Sequence, residues 1–124
     1  MPIITLTSDL GLDDHYLAMV KAKILSQKPD AQIIDVNHSI HKFNIAEAAF
    51  VLKTMLKEFP KDTIHIVAVG TQAIDDITHL GIRYQDQYIL TADTGLFSLI
   101  AEQHPDLLVE LQMKVDTDVR IFPM

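Results

Sequence analysis

Thr5-Leu6-Thr7-Ser8-Asp9-Leu10-Gly11-Leu12-Asp13-Asp14-His15-Tyr16 is the stretch whose reading decides the fold. The apolar, β-branched run Ile3, Ile4, Leu6 leads into Thr7-Ser8-Asp9-Leu10-Gly11, and a helical pattern begins behind Asp13 and Asp14. This spacing predicts a strand, a tight loop and a helix. In an open α/β sheet such a loop lies at the carboxyl ends of the strands, where ligands bind. Asp9 stands at that edge. An ionised carboxylate only accepts hydrogen bonds, through two oxygens, and so suits a vicinal diol such as a ribose 2′,3′ pair, or a metal ion. The loop alone is equally open to a plainer reading, in which Asp9 and Asp13 cap turns.

Outward from this stretch, the first strand covers residues 3–7. The first helix starts near Asp13 or Asp14, which can cap it and complement its dipole. Leu17, Val20 and Ile24 recur at helical spacing. The helix stops before Lys28-Pro29, because the residue ahead of a proline disfavours helical backbone. Residues 31–36 form a second strand, closed by Asn37-His38-Ser39. Ile45, Ala49, Leu52, Leu56 and Phe59 then make a continuous apolar stripe, with Asn44 as its cap and Pro60 as its stop. Residues 64–69 form a third strand. A hairpin follows, 79–84 and 87–92 about Gln85-Asp86. A helix over 96–103 and a short strand over 107–111 complete the pattern. The order β-α-β-α-β, then hairpin, helix and strand, predicts an α/β domain of three layers with a mostly parallel central sheet. Strands one, two and three lie side by side, and the loops after Thr7, Val36 and Val69, with that at Asp93, share one edge.

Composition narrows the function. The 124 residues suit one domain, and 48% apolar content marks a folded chain rather than a disordered one. The net charge of -7 and the lack of any basic run argue against nucleic acid or an anionic membrane as partner. With no cysteine there is no disulfide, thiolate metal site or cysteine nucleophile. No apolar run approaches the roughly 18 residues that span a bilayer, and the N-terminus lacks a signal-peptide pattern, so a cytoplasmic protein is the expectation.

Several chemical motifs are missing. There is no GxGxxG after strand one, no GxxxxGK[ST] and no GxSxG. His38 and His41 lack an obvious third ligand, so no metal site is expected. His65 reads as a structural histidine within its strand. The acidic pairs Asp13-Asp14 and Asp75-Asp76 have no partner that would separate an acid from a base. From the residues, the chain has a small-molecule site with acceptor groups Asp9 and Asp93.

The chain also resembles the S-adenosylmethionine (SAM) hydroxide adenosyltransferase family, which includes SAM hydrolases, chlorinase and fluorinase. The matching residues are Ser8-Asp9-Leu10-Gly11 with Asp13-Asp14, Ile34-Asp35-Val36-Asn37-His38-Ser39-Ile40, and Phe43-Asn44-Ile45 with Ala48-Ala49. Phe59-Pro60 with Thr63-Ile64-His65, Asp93-Thr94-Gly95-Leu96 and Phe122-Pro123 continue the match in order. The resemblance implies an N-terminal α/β domain over residues 1–124, a β-rich C-terminal domain absent from this chain, and a homotrimer in the full-length protein. It implies SAM as substrate and no cofactor, with water or halide attacking the 5′ carbon and expelling methionine. By the same resemblance Asp9 grips both ribose hydroxyls and Phe43 packs near the reacting carbon. Asp14, Asp93 and Thr94 join the binding site, and Gly70 and Thr71 occupy the loop that surrounds the nucleophile.

Three departures accompany the match. Gly70 stands where hydrolases place an aspartate, and no arginine follows before Arg83. Thr94 replaces an asparagine. The chain stops at Phe122-Pro123-Met124, where the second domain would begin. An alternative reading is therefore a SAM- or adenosine-binding protein of the same fold with a decayed catalytic loop. A receiver-like signalling domain would need a phosphoacceptor aspartate after strand three, where this chain has Gly70.

Overall fold

In the computed structural model, residues 2–9, 11, 15–42, 44–69 and 78–111 are described. Strand β1 (Ile3–Ser8) lies between β2 (Gln32–Asn37) and β3 (Ile64–Ala68), parallel to both. β3 pairs in parallel with β5 (Gln87–Ala92), which turns back on β4 (His79–Tyr84) as an antiparallel hairpin. β6 (Leu107–Leu111) closes the far side, giving the order β2-β1-β3-β5-β4-β6. The mostly parallel α/β sheet is as the sequence pattern predicts, and strands one to three are neighbours.

Helix α1 (Tyr16–Gln27) covers one face, beside Leu6, Ile66 and Ala68. Helix α2 (Ile45–Met55), a following 3-10 turn (Leu56–Glu58) and helix α3 (Leu96–Ile100) cover the other. Ala49, Leu52 and Leu56 from the predicted stripe are buried there against Val67, Ile82 and Ile89. Each large side chain so buried stabilises by about 1.5–3 kcal/mol. Asn44 caps α2 as predicted, its side chain accepting from the Glu47 N–H at 3.0 Å. α1 begins at Tyr16 behind His15, which makes no side-chain cap; Asp13 and Asp14 lie outside the described residues. α3 is shorter than the 96–103 expected. It ends at Ile100, and the Glu102 N–H donates instead to the Tyr84 hydroxyl at 3.0 Å. The hairpin turn is as expected, with φ of 52° at Gln85 and 62° at Asp86, the left-handed backbone a tight two-residue turn needs.

A polar relay is sealed inside the α2 side of the sheet. His65 is 0% exposed, with Thr5 Oγ1 at 2.7 Å from Nδ1 and Gln87 Oε1 at 2.6 Å from Nε2. Gln87 Nε2 donates to the Leu56 carbonyl, so its Oε1 is the acceptor and His65 Nε2 carries the proton. The Thr5 hydroxyl then donates to Nδ1. Burial pushes the His65 pKa below its usual 6.5, against a smaller upward pull from Gln87. The unfolded chain therefore takes up a proton that the folded chain refuses, so this contribution is whole above pH 6.5 and is lost as pH falls below it. Urea unfolding should show stability falling from pH 7 to pH 5. In His65→Gln the slope in that window should flatten, by at most about 1.4 kcal/mol per pH unit. The variant should also be about 1–3 kcal/mol less stable at pH 7.5. An unchanged slope would contradict the neutral, buried ring.

Candidate ligand site at the carboxyl edge of the parallel strands

The order β2-β1-β3 means that the chain leaves β1 to one side and returns across it to the other. The gap between the carboxyl ends of β1 and β3 is the point where the strand order reverses, the usual ligand crevice of such sheets. Ser8 pairs with Ala68, and Val67 with Thr91. Carrying this register forward puts Asp9, Val69 and Asp93 at one level, with the two carboxylates two strand spacings apart, roughly 10 Å.

Asp9 is 4% exposed, and its backbone N–H donates to the Ala68 carbonyl at 3.3 Å. Gly11, at φ 82°, donates its N–H to the His38 carbonyl at 2.8 Å. Beside them the Thr7 hydroxyl is buried and makes no hydrogen bond among the described residues, so the edge holds a polar group with bonding capacity to spare.

β1 and β2 slip register here. Leu6 pairs with Asp35 but Thr7 pairs with Asn37, so β2 carries one extra residue, Val36. In a regular strand, residues three apart point to opposite faces. The bulge removes that alternation, and Asp35 and His38 both reach the α1 side. Ser8 Oγ lies 2.6 Å from His38 Nδ1, and His38 Nε2 lies 2.8 Å from Asp35 Oδ1. Lys21 of α1 donates to Asp35 Oδ2 at 2.6 Å. Partial burial raises the Asp35 pKa, but the hydrogen bonds of Lys21 and His38 outweigh it, leaving the carboxyl below its usual 3.8.

Residues 4–123 match the SAM hydroxide adenosyltransferase N-terminal domain. The chain belongs to that family. It is 32% identical over 123 residues to an (R)-S-adenosyl-L-methionine hydrolase of Methanocaldococcus jannaschii, covering 95% of this chain and 45% of that protein. It is 34% identical over 76 residues to a fluorinase of Nocardia brasiliensis, covering 58% of this chain and 25% of the other. The crystal structure of an uncharacterised conserved protein from Thermotoga maritima superposes with a TM-score of 0.81 at 29% identity, over 88% of this chain and 42% of that one. The chain thus spans less than half the length of the archaeal hydrolase it matches.

Of the residues that the sequence singled out, this family domain brings Asp9, Asp93 and Thr94 to one edge. Asp9 is buried, whereas Asp93 is exposed, its N–H held by the Thr78 carbonyl at 2.7 Å. Thr94 turns its hydroxyl onto the Ala92 carbonyl at 3.4 Å, a turn contact. Asp14, Phe43, Gly70 and Thr71 lie outside the described residues. Among the described residues no group of three His, Asp or Glu could hold a metal ion, and no helix is long and apolar enough to cross a membrane. The Ser8–His38–Asp35–Lys21 chain is what sequence reasoning missed, having weighed His38 only as a metal ligand. A larger cleft of about 110 Å³ lies at the opposite ends of the strands, near Tyr84 and Gln85. Its Lys53 is paired with Glu102 at 3.3 Å, and it is remote from Asp9 in the sheet order.

Gly11 gives a test of the loop. A Cβ built on it meets nothing within 4 Å, so only its left-handed backbone resists substitution. Gly11→Ala should lower stability by about 1–2 kcal/mol, read from the urea midpoint at unchanged m. A neutral substitution would contradict that backbone conformation.

Proposed function

We propose that this chain is the N-terminal domain of a SAM-cleaving adenosyltransferase that forms adenosine and L-methionine, with Asp9 as its ribose clamp. The observation that carries the reading is the buried Asp9 at the β1/β3 switch point of a chain from this family. The substrate is a small nucleoside rather than a nucleic acid, and the full-length protein works as a cytoplasmic homotrimer with a second, β-rich domain completing the site. Asp14, Phe43, Asp93 and Thr94 are assigned to substrate binding, with Gly70 and Thr71 in the loop facing the nucleophile.

The chemistry needs little acid–base work from the protein. The oxygen of water forms a bond to the 5′ carbon as the carbon–sulfur bond breaks, the electron pair of that bond stays on sulfur, and the attacking water gives up one proton to solvent. The sulfonium thereby becomes a neutral thioether, so the leaving group needs no proton. What the protein must supply is an aligned nucleophile with its water shell removed. A carboxylate bonded to two adjacent hydroxyls fixes the sugar and hence the line of attack. Gly70, at the position where hydrolases carry an aspartate, favours a second reading: binding without turnover.

The test is incubation with SAM, with and without chloride, and chromatography of the products, alongside binding of SAM to the same protein. Adenosine with methionine is expected, and Asp9→Ala should lower kcat/KM on the order of a hundredfold. A chlorinated nucleoside would instead make chloride the nucleophile. SAM bound without product would favour the second reading. Affinity and turnover unchanged in Asp9→Ala would overturn the ribose-clamp assignment.

A further inference from the structure

We propose that His38 is the positioning residue of this site, holding the Asp9 loop in its binding geometry through Ser8 and Gly11; this rests on the nucleoside reading above. Three bonds converge on His38. Its carbonyl accepts from the Gly11 N–H at 2.8 Å, its Nδ1 meets Ser8 Oγ at 2.6 Å, and its Nε2 meets Asp35 Oδ1 at 2.8 Å. Ser8 and Gly11 bracket the tip of the loop that carries Asp9. The ring itself is 2% exposed, so its bond to Ser8 is shielded from competing water, while the Asp35 end is half-exposed.

The donors can be assigned. The Asp35 carboxylate only accepts, so His38 Nε2 donates to it. The other ring nitrogen, Nδ1, is left for the Ser8 hydroxyl. Lys21, bonded to the other carboxylate oxygen, stops Asp35 from turning away. The chain Lys21–Asp35–His38–Ser8 thus runs from a helix surface to the residue beside Asp9.

A serine, a histidine and an aspartate in a row also suggest a nucleophilic triad, but the geometry opposes it. In such triads the serine meets Nε2 and the aspartate Nδ1. Here the two are reversed. Ser8 is 3% exposed, and the space beside it and His38 is about 10 Å³, the size of one water at most. No substrate carbonyl fits there.

The test separates orientation from bulk stability by choosing which nitrogen to imitate. The amide of His38→Asn falls near Nδ1 and can keep the Ser8 bond, whereas that of His38→Gln falls near Nε2 and can keep only the Asp35 bond. Adenosine affinity is measured by calorimetry on the full-length protein, and kcat and KM for SAM are measured separately, for both variants and for His38→Ala, Ser8→Ala and Asp35→Asn. His38→Ala should lose adenosine affinity on the order of a hundredfold, as expected for a clamp displaced by about 1 Å. His38→Asn should recover more of it than His38→Gln, whatever the order of their melting temperatures. Ring ¹⁵N shifts of the unliganded wild type should show the proton on Nε2, and Asp35→Asn, which keeps the bulk of the half-exposed carboxylate, should change them and weaken adenosine several-fold. Wild-type binding with His38→Ala, Ser8→Ala and Asp35→Asn all at wild-type affinity would overturn the inference and leave the nucleoside reading standing. A wild-type protein that binds neither adenosine nor SAM would overturn both.

Discussion

The one-residue slip between β1 and β2 is the constraint on which the binding edge depends. Without the extra residue at Val36, Ser8 would lie level with Asn37, and His38 would point to the α2 side. With it, Ser8 and His38 are neighbours on the α1 side and exchange a 2.6 Å bond. The bulge costs a regular pair at the end of an edge strand, where pairing is already half exposed. In return it ties two loops of the carboxyl edge together, as bulges beside functional sites commonly do. The backbone bond from Gly11 to the His38 carbonyl reinforces the same join.

The sheet is polarised to support that edge. One buried relay, Thr5–His65–Gln87, links β1, β3 and β5 in the α2 layer. A second, Ser8–His38–Asp35, links β1 to β2 in the α1 layer. The two lie on opposite faces of β1 and hold it to both its neighbours by side chains as well as by the ladder. A strand fixed in this way can present Asp9 at a set height without help from the loop alone. The apolar core does the larger share of stabilisation, but it does not specify height along the strand direction, because hydrophobic burial is non-directional. Directional bonds do.

Much of this was legible in the sequence. The stripe Ile45 to Phe59, the proline stops and the Asn44 cap all depend on local spacing, and local spacing survives into the fold. Asp9 was found for the same reason, as a carboxylate directly after an apolar strand. The His38 relay was not, because a period of two places Asp35 and His38 on opposite faces and only the bulge reverses that. Nor was the early end of α3, which depends on the Tyr84 hydroxyl taking the Glu102 N–H across 18 positions of chain. Both failures come from long-range pairing that no window of neighbouring residues contains. The positions 14, 43, 70 and 71 belong to the family resemblance rather than to any geometry described.

As a ribose clamp, the buried Asp9 carboxylate at the β1/β3 switch point would recognise a vicinal diol. The most direct measurement compares the affinity of the protein for adenosine with that for 2′,3′-dideoxyadenosine, which keeps the base and loses both hydroxyls. Each hydrogen bond to a charged group contributes about 1.5–3 kcal/mol, so the dideoxy compound should bind at least about a hundredfold more weakly. Equal affinity for the two would contradict a ribose clamp at Asp9, which would then have no diol to hold.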